Sequence, residues 1–401
     1  MPKDLAIWFD YSCPYAYLAS TQVEALAART SAELRWEPML LGGVFRANGT
    51  PQNLSEVLGP QKARHNLADM HRWAARFGVP LTMPAGHPRR TVEALRATLA
   101  SGLDPRVIHA FYRAYWVEGR DIADRTVVGE VLTSAGEDAA ALLARIDDPA
   151  IKDDLRARTD RAIELGVFGA PTFVVGDELH WGQDRLDFVE RALGGTPPVA
   201  PAPEPTRVHT LDAYFDFSSP FAYLGMTQVE ALAARTGAKL TARPMLLGAV
   251  FKDVGQVNVP LATFSAAKQR HVARDLDRWA QHWGVPYRFP TRFPMSTVKA
   301  LRLYLALDAP YQAAFRDAVF RAYWAEDQDI ASDEVLARLV PAGGEAALAR
   351  TQSPEIKQAL FDATRHAVEQ GVFGAPTFVV DGAELFWGQD RLALVESALR
   401  T

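Results

Sequence analysis

The feature that most constrains this chain is an internal duplication. The segment Thr21–Thr30 recurs unchanged at Thr227–Thr236, 206 residues later, and Gly166–Val175 recurs unchanged at Gly371–Val380, 205 residues later. An almost constant offset indicates that a complete domain is present twice, because solenoid repeats have units of only ~20–50 residues. The fold must therefore be one that half of the chain can form around its own core.

The positions of the repeats predict two domains and a linker. We expect copy one to span residues 1–195 and copy two to span residues 209–401, with residues 196–208 as the linker. The stretch Thr196–Pro205 contains five prolines in ten residues. Proline fixes φ and lacks a backbone N–H, so this stretch cannot hold a helix or a central strand. A semi-extended connection between the two copies is the prediction.

Composition excludes several classes of protein. The formal net charge is −5, and the 43 basic and 48 acidic residues are interspersed, which argues against a nucleic-acid partner. Cys13 is the only cysteine, so an intrachain disulfide and a cysteine-rich metal site are excluded. The sequence shows no leader pattern and no apolar stretch approaching ~20 residues, so we expect no membrane partner and a cytoplasmic location.

Each copy shows the same predicted order of elements: strand, helix, strand, a block of helices, two short strands and a terminal helix. A strand–helix–strand start predicts a parallel pair with a right-handed crossover. The first two predicted strands are Leu5–Phe9 and Leu34–Pro38 in copy one, and Ala213–Phe217 and Leu240–Pro244 in copy two. Helical periodicity in copy one covers Lys62–Phe77, Thr91–Ala100, Arg106–Trp116 and Asp124–Ala135.

The first candidate site is the strand-to-helix junction of each copy. Pro14 and Pro220 suit the first position of a helix, which places Cys13 and Ser219 at the N-cap. Free N–H groups and the helix dipole favour negative charge there, so the position suits a thiolate, either of Cys13 itself or of a bound thiol. The alternative is a simple helix cap, a role that serine commonly fills.

The second candidate site is a Gly-Ala-Pro-Thr-Phe segment in each copy. Pro171 and Pro376 open a predicted strand, where proline is tolerated, and each is a candidate for a cis peptide bond. Such a bond would leave the backbone of Ala170 and Ala375 open to pair with an extended ligand. An ordinary turn proline is the alternative.

The third candidate site is Gly-Gln-Asp-Arg, which follows the last short strand. Here Gln183 and Asp184, matched by Gln389 and Asp390, are predicted at a helix N-terminus. Backbone N–H groups there suit a carboxylate, and the Asp side chain suits an ammonium, so the pair fits an amino-acid zwitterion. Helix capping is again the alternative.

The fourth candidate is a lysine at the start of the helical block. Lys62 of copy one is matched by Lys268 of copy two, and each is a potential cation for a ligand carboxylate. The neighbouring matched residues, which include His65 and His271, are expected to be structural or solvated on an amphipathic helix.

Taken in order, these segments resemble the 2-hydroxychromene-2-carboxylate isomerase and kappa-class glutathione transferase family, a branch of the DsbA-like thioredoxin fold. The best match runs from Val167-Phe-Gly-Ala-Pro-Thr-Phe to Trp181-Gly-Gln-Asp-Arg-Leu, and Phe215–Leu224 of copy two is nearly as close. The resemblance covers essentially all of each copy. It implies an α/β chain of two thioredoxin-like domains, each with an inserted helical block.

The resemblance also implies glutathione as the cofactor, with a role for each matched residue. The residue facing the sulfur is Ser219 in copy two and Cys13 in copy one. Ala170 and Ala375, each before a proline, pair with the cysteinyl backbone. The implied contacts of the γ-glutamyl end are Gln183 with Asp184 and Gln389 with Asp390, and those of the carboxylates are Lys62 with Asn53 and Lys268 with Asn258.

Two departures from the family pattern indicate that the copies differ. Cys13 stands where the family has serine, and no second cysteine is present to complete a dithiol–disulfide cycle. Arg89 and Arg90 of copy one resemble the isomerase pattern, in which basic groups meet the carboxylate of an aromatic substrate. Copy two has Met295 and Ser296 there.

The function that the resemblance implies is glutathione-dependent cis–trans isomerisation of a small conjugated aromatic substrate by reversible thiolate addition. The alternatives are a kappa-type glutathione transferase, a DsbA-like or monothiol-type oxidoreductase that uses Cys13, and a binding module whose sites have drifted. Because the family forms homodimers, the two copies are expected to make a pseudo-dimer within one chain.

Overall fold

The computed structural model describes residues 3–53, 57–198 and 203–401. It contains two four-stranded sheets, one built from each copy. The chain divides into two compact units. Unit one comprises Met1–Leu58, Leu67–Val199 and Phe264–His271, and unit two comprises Gly59–Asn66, Ala200–Thr263 and Val272–Thr401. Each unit therefore contains a short segment that belongs, by sequence, to the other copy.

Copy one supplies four strands and nine α-helices among the described residues. The strands are β1 (Asp4–Phe9), β2 (Glu33–Pro38), β3 (Thr172–Val175) and β4 (Glu178–Trp181). The helices are α1 (Pro14–Thr30), α2 (Leu41–Ala47), α3 (Pro60–Phe77), α4 (Val92–Ala100), α5 (Pro105–Trp116), α6 (Arg125–Ser134), α7 (Ala139–Arg145), α8 (Pro149–Leu165) and α9 (Leu186–Ala192).

Copy two repeats this order with one break, because its first helix is split in two. The strands are β5 (Thr210–Phe215), β6 (Lys239–Pro244), β7 (Thr377–Val380) and β8 (Glu384–Trp387). The helices are α10 (Pro220–Met226), α11 (Val229–Thr236), α12 (Leu247–Asp253), α13 (Ala266–Trp283), α14 (Val298–Ala306), α15 (Ala309–Trp324), α16 (Asp333–Leu339), α17 (Ala346–Arg350), α18 (Pro354–Glu369) and α19 (Leu392–Ala398).

Both sheets have the same topology. The strand orders are β2-β1-β3-β4 and β6-β5-β7-β8, with a parallel first pair and antiparallel neighbours after it. The predicted parallel pairing of the first two strands is confirmed in both copies. The central strand β1 is apolar on both faces, as expected for a strand covered on both sides, and Leu5, Ile7 and Phe9 are fully buried.

The helical block is attached to the strand-to-helix junction by a buried tryptophan in each copy. The indole Nε1 of Trp116, at the end of α5, donates to the backbone carbonyl of Tyr11 at 2.8 Å. Trp324, at the end of α15, donates to the carbonyl of Phe217 at the same distance. These bonds fix the helices against the loop that carries Cys13 or Ser219, so the inserted block helps to shape the candidate site.

The structure corrects the predicted elements in two places. The first strand of copy two is Thr210–Phe215, not Ala213–Phe217, because Asp216 and Phe217 turn away from the sheet into the loop before α10. Helices α2, α7 and α8 were missing from the predicted elements, although for α8 Asp148 before Pro149 and Gly166 in the left-handed region are ordinary start and stop signals. Part of the predicted linker, residues 199–202, lies outside the described residues.

None of the helices in the described ranges combines the length and apolar character that a bilayer span requires. Within those same ranges, no cluster of three histidine, cysteine or acidic side chains is placed to hold a metal ion.

Candidate functional site

Ser219 forms the N-terminal cap of α10, as predicted. Its Oγ accepts a hydrogen bond from the backbone N–H of Ala222 at 3.1 Å and donates to the carbonyl of Ala375 at 2.9 Å. The side chain is 4% exposed. The hydroxyl thus joins two predicted site segments, the helix junction and the residue before Pro376, in one hydrogen-bonded unit.

Cys13 occupies the matching position of α1 but makes a different set of contacts. Its Sγ donates to the carbonyl of Ala170 at 3.0 Å, and the thiol forms no cap hydrogen bond with the helix. Burial raises the pKa of the Cys13 thiol to about 12, against the lowering effect of the backbone N–H groups of Ala16 and Tyr15. The prediction that this site favours a thiolate of Cys13 is therefore wrong, because the loss of hydration outweighs the helix terminus.

Cys13 is accordingly expected to react slowly with thiol reagents. At pH 8 a thiol with a pKa near 12 has a thiolate fraction roughly 1,000-fold lower than that of an ordinary cysteine, so labelling by Ellman's reagent should slow by about that factor. The same chain unfolded in urea supplies the control, since this is its only cysteine. A native rate close to the unfolded rate would contradict the burial argument.

A buried aspartate holds the junction loop in each copy, and it was not among the predicted site residues. In copy two, Asp216 Oδ1 accepts from the N–H of Ser218 at 3.0 Å and Oδ2 accepts from the N–H of Leu247 at 2.7 Å. A hydrogen bond from the side chain of Thr297 adds a third element. Burial raises the pKa of Asp216.

The same aspartate occurs in copy one with the same partners. Asp10 accepts from the N–H groups of Ser12 and Leu41, each at 2.9 Å, and from the side chain of Thr91. Burial raises the pKa of Asp10 as well. A sequence signal for these residues exists: in both copies an aspartate directly follows the first strand, and a serine follows the aspartate two residues later.

The Gly-Ala-Pro segments start the third strand of each sheet, and both Ala–Pro peptide bonds are cis, as expected. The carbonyl of Pro171 accepts from the N–H of Gly182 at 3.0 Å, and the carbonyl of Pro376 accepts from the N–H of Gly388 at 3.0 Å. These bonds place the Gly-Gln-Asp-Arg segment beside the Gly-Ala-Pro segment in each copy. The second and third candidate sites therefore form one region.

In this region a tryptophan packs against the glycine that precedes each Ala–Pro pair. A Cβ built on Gly169 would lie 2.6 Å from Nε1 of Trp181, and a Cβ on Gly374 would meet Nε1 of Trp387. Only glycine allows the indole to pack this closely.

Gly169→Ala is therefore expected to lower the free energy of unfolding by about 1–3 kcal/mol through overpacking. Gly374→Ala should act similarly in copy two. Gly129→Ala on α6 is a control, because its new methyl group would meet only the end of the Leu143 side chain at 3.1 Å. Urea titration measures the difference. Equal stability of Gly169→Ala and wild type would show that the indole moves away without cost.

Gln183 and Asp184 begin a short 3-10 turn that leads into α9, and Gln389 and Asp390 do the same before α19. Asp184 pairs with the neighbouring guanidinium of Arg185 at 3.1 Å. The Gln183 side chain is 3% exposed, and within the described ranges its buried Nε2 has no hydrogen-bond partner. A buried donor without a partner suits a ligand that supplies an acceptor.

Lys62 and Asn53 fall in different units, as do Lys268 and Asn258, and their shared role toward a carboxylate stays a prediction. Lys62 belongs to unit two, where its Nζ lies 5.0 Å from the centre of the Trp387 ring, whereas Asn53 belongs to unit one. Conversely, Lys268 belongs to unit one and Asn258 to unit two. The first turns of α3 contact β8 through the hydrogen bond from the backbone N–H of Trp387 to His65.

The asparagine of copy one is also not the structural match of Asn258. Asn258 Oδ1 lies 2.8 Å from a Cβ built on Gly248, and the atom at the same distance from the matching Gly42 is Oε1 of Gln52. Gln52 also donates to the carbonyl of Gly42 at 3.1 Å. Position 52, one residue before Asn53, therefore carries the amide that faces α2.

Arg89 and Arg90 lie on an exposed loop just before Thr91. The side chain of Thr91 hydrogen-bonds Asp10, which lies three residues before Cys13. The Arg89 guanidinium is 3.7 Å from Asp121, and its backbone N–H donates to the hydroxyl of Tyr115 at 3.0 Å. Arg90 lies 3.4 Å from Glu93. The structure thus brings Arg89 near the junction loop of copy one, with both arginines next to acidic side chains.

The fold and these sites define the class of protein. Residues 4–194 and 210–400 each match the DSBA-like thioredoxin domain, and together they make up nearly the whole chain. The chain belongs to the DsbA-like thioredoxin family, with the family domain present twice.

Its relatives include isomerases and kappa-class transferases. The 2-hydroxychromene-2-carboxylate isomerase of Sphingobium xenophagum is 34% identical over 197 residues, which cover 48% of this chain and 99% of that protein. Glutathione S-transferase kappa 1 of Rattus norvegicus is 25% identical over 220 residues, covering 49% of this chain and 96% of that protein. A solved 2-hydroxychromene-2-carboxylate isomerase is 28% identical, covers 48% of this chain and 94% of that one, and has a TM-score of 0.44.

Proposed function

We propose that this protein is a glutathione-dependent isomerase of the 2-hydroxychromene-2-carboxylate isomerase type, acting on a small conjugated aromatic substrate. The observation that carries the proposal is the hydrogen bond from Ser219, at the N-cap of α10, to the carbonyl of Ala375 at 2.9 Å. This bond brings together the Ser219 hydroxyl, which suits the sulfur of a ligand, and the backbone of Ala375, which suits a peptide ligand. Similarity over 99% of a named isomerase supports the same reading.

The residues present fit glutathione as the bound group. The orphaned amide of Gln183 and the carboxylates of Asp184 and Asp390 suit the α-amino and α-carboxyl groups of a γ-glutamyl end. When bound, glutathione would supply the thiolate that adds reversibly to the conjugated system of the substrate.

The role of Ser219 follows from its two hydrogen bonds. A ligand N–H that took the carbonyl of Ala375 would free the Ser219 hydroxyl to donate to the sulfur, while the N–H of Ala222 keeps Oγ in place. A hydroxyl donor favours the thiolate over the thiol, because hydrogen bonding to the charged form lowers a pKa. Copy two is therefore the copy we assign to catalysis.

Copy one would bind the same ligand with a weaker sulfur partner, because the S–H of Cys13 is a poor donor. Arg89 and Arg90 would meet a substrate carboxylate beside this copy, where copy two presents Met295 and Ser296. The two sites would then differ in substrate range. That the copies pair as an intrachain pseudo-dimer also remains a proposal, which small-angle scattering tests.

Calorimetry with glutathione, followed by an ultraviolet assay of 2-hydroxychromene-2-carboxylate isomerisation, tests the proposed function. We expect binding at both sites and isomerisation that requires glutathione. Binding without isomerisation, together with conjugation of an electrophile, would favour a kappa-type transferase instead, in line with the 25% identity to the rat enzyme. An absence of binding at millimolar glutathione would overturn both. The oxidoreductase alternative is disfavoured by the buried, protonated thiol of Cys13.

A further inference from the structure

In copy one, a histidine and a tyrosine hold the loop that carries Arg89 against helix α5. The hydroxyl of Tyr115 accepts a hydrogen bond from the backbone N–H of Arg89 at 3.0 Å and lies 2.9 Å from Nδ1 of His87. The His87 ring also packs on the indole of Trp116, with ring centroids 5.0 Å apart. Because the indole N–H of Trp116 bonds the carbonyl of Tyr11, the histidine and the junction loop contact the same side chain.

The proton of the Tyr115 hydroxyl can be assigned from these contacts. A backbone N–H can only donate, so the bond from Arg89 occupies a lone pair of the phenol oxygen and leaves the phenol proton free to be donated. Burial raises the pKa of Tyr115 to about 12, so the phenol keeps this proton near neutrality. Its acceptor is Nδ1 of His87, which makes His87 neutral with its own proton on Nε2.

Copy two holds the matching loop through an acceptor that does not titrate. The hydroxyl of Tyr323, which matches Tyr115, donates to the backbone carbonyl of Arg292 at 3.1 Å. Phe293 stands at the position of His87. A backbone carbonyl stays an acceptor at every pH near neutrality, whereas an imidazole gains a proton in mild acid. The tyrosine is therefore common to both copies, and the titratable partner distinguishes copy one.

Protonation of His87 would break this arrangement. An imidazolium carries a proton on both nitrogens, so Nδ1 would direct a donor at a hydroxyl that already accepts from the N–H of Arg89. The phenol proton would lose its acceptor in a side chain that is fully buried, which is unfavourable. Either the contact of His87 or the bond from Arg89 must then be lost, and both lie on the same loop.

The charged groups around this pair are few. The guanidinium of Arg89 lies on the loop, 3.7 Å from Asp121, and the buried carboxyl of Asp10 lies on the junction side. Helix α5 presents Tyr115, which is uncharged near neutrality. Burial lowers the pKa of His87 below its ordinary value of 6.5. The histidine is therefore neutral at neutral pH and gains its proton in mildly acidic solution.

We propose that His87 is a positioning residue of copy one, which fixes the Arg89 loop through Tyr115 while it is neutral and lets the loop move when it is protonated. This rests on the proposed function for the identity of the substrate, whose carboxylate Arg89 would meet. Copy one should then lose affinity for such a substrate in mild acid, and copy two should show no such change.

The backbone amide signal of Arg89 in an NMR spectrum reports on the loop without any assumption about activity. In full-length protein labelled with an NMR-active nitrogen isotope in arginine only, this signal is the one that Arg89→Lys removes. We expect it to shift as the pH falls from about 8 to 5, with a midpoint below 6.5. His87→Phe, which introduces the residue of copy two, should abolish the shift. A shift that persists in His87→Phe would overturn the proposal.

The kinetic test uses a chain in which copy one is the active copy. Cys13→Ser gives copy one the hydroxyl that copy two has, and Ser219→Ala removes that hydroxyl from copy two. In this background, KM for 2-hydroxychromene-2-carboxylate should rise about 10-fold as the pH falls through the pKa of His87, because the buried hydrogen bonds that place Arg89 are lost. Adding His87→Phe should make KM independent of pH, while the pH profile of kcat, which follows ionisation of the thiol, stays the same.

Tyrosine variants separate positioning from a general loss of folding. In the same background, Tyr115→Phe should raise KM about 10-fold at every pH, because the N–H of Arg89 then has no hydroxyl to bond. Tyr323→Phe is the matched control in copy two and should leave KM unchanged. Parallel KM profiles with and without His87→Phe would contradict the proposal. A wild-type chain without isomerisation at neutral pH would fail the proposed function alone, because the Arg89 amide titration still decides whether His87 controls the loop.

Discussion

Replacing Ser219 by alanine is expected to lower glutathione-dependent turnover about 100-fold and to raise the pKa of the bound thiol toward that of a free thiol. The magnitude is that of losing one positioned hydrogen-bond donor to a developing anion. In this chain the donor is the hydroxyl that caps α10 and, without ligand, bonds the carbonyl of Ala375 at 2.9 Å. Alanine keeps the backbone N–H groups of the helix terminus but supplies no donor to the sulfur.

The measurement is the ultraviolet absorbance of the bound thiolate as a function of pH, together with turnover. Ser397→Ala controls for loss of a hydroxyl on a helix surface, because Ser397 is exposed on α19 and bonds only the carbonyl of Ala393 in the described ranges. An unchanged thiol titration in Ser219→Ala would show that the helix terminus alone holds the thiolate.

The matched position in copy one sharpens the test. Cys13→Ala should change turnover less than about 3-fold, because a thiol is a weak donor. Cys13→Ser should increase the contribution of copy one, since it creates there the hydroxyl that copy two already has. If Cys13→Ala lowers turnover more than Ser219→Ala does, the assignment of catalysis to copy two is wrong.

Local sequence patterns predicted the fold and part of the candidate site, because caps and strand starts depend on residues that are neighbours in sequence. A proline at the first helical position predicted that Cys13 and Ser219 are N-cap residues, and a repeated Gly-Ala-Pro predicted the start of β3 and β7. Both motifs act through a few consecutive residues. Helix α8 was missed although its caps were visible, because its apolar periodicity is weak.

Features that depend on distant packing could not be predicted. The pKa of Cys13 is set by burial beneath several elements, which overrides the helix terminus that the local sequence shows. Two homologous copies with the same order of elements also give no indication of which sheet α3 contacts. Its first turns lie in unit two, where Lys62 lies over the Trp387 ring.

Asp216→Asn is expected to destabilise the chain by about 2–4 kcal/mol and to abolish glutathione binding at the Ser219 site. Both carboxylate oxygens accept backbone N–H groups, Oδ1 from Ser218 and Oδ2 from Leu247. Asparagine has one oxygen and one NH2, so in either orientation the NH2 faces one of these N–H groups. A buried donor left without its acceptor costs about 1–3 kcal/mol, more than a typical net hydrogen bond contributes.

Replacing Asp216 is expected to affect the ligand site as well, because Asp216 also holds Ser219, the N-cap residue of α10. The backbone carbonyl of Asp216 accepts from the N–H of Ser219 at 3.2 Å, so a displaced loop moves the Ser219 hydroxyl away from Ala375. Urea titration and calorimetry measure the two effects. Asp10→Asn should destabilise copy one similarly while leaving the Ser219 site intact, and Asp253→Asn, on the exposed side of α12, should do neither.

The effect of Asp216→Asn on stability is expected to depend on pH in one direction. Burial raises the pKa of Asp216 above its ordinary value of 3.8, so the native state holds this proton to a higher pH than the unfolded state does. Stability from the protonated form is fully present below the unfolded pKa and is lost as the pH rises through the folded pKa. The difference in unfolding free energy between wild type and Asp216→Asn should therefore narrow as the pH rises above about 4. A difference that widens with pH would mean that the ionised carboxylate, and not its protonated form, is favoured by folding.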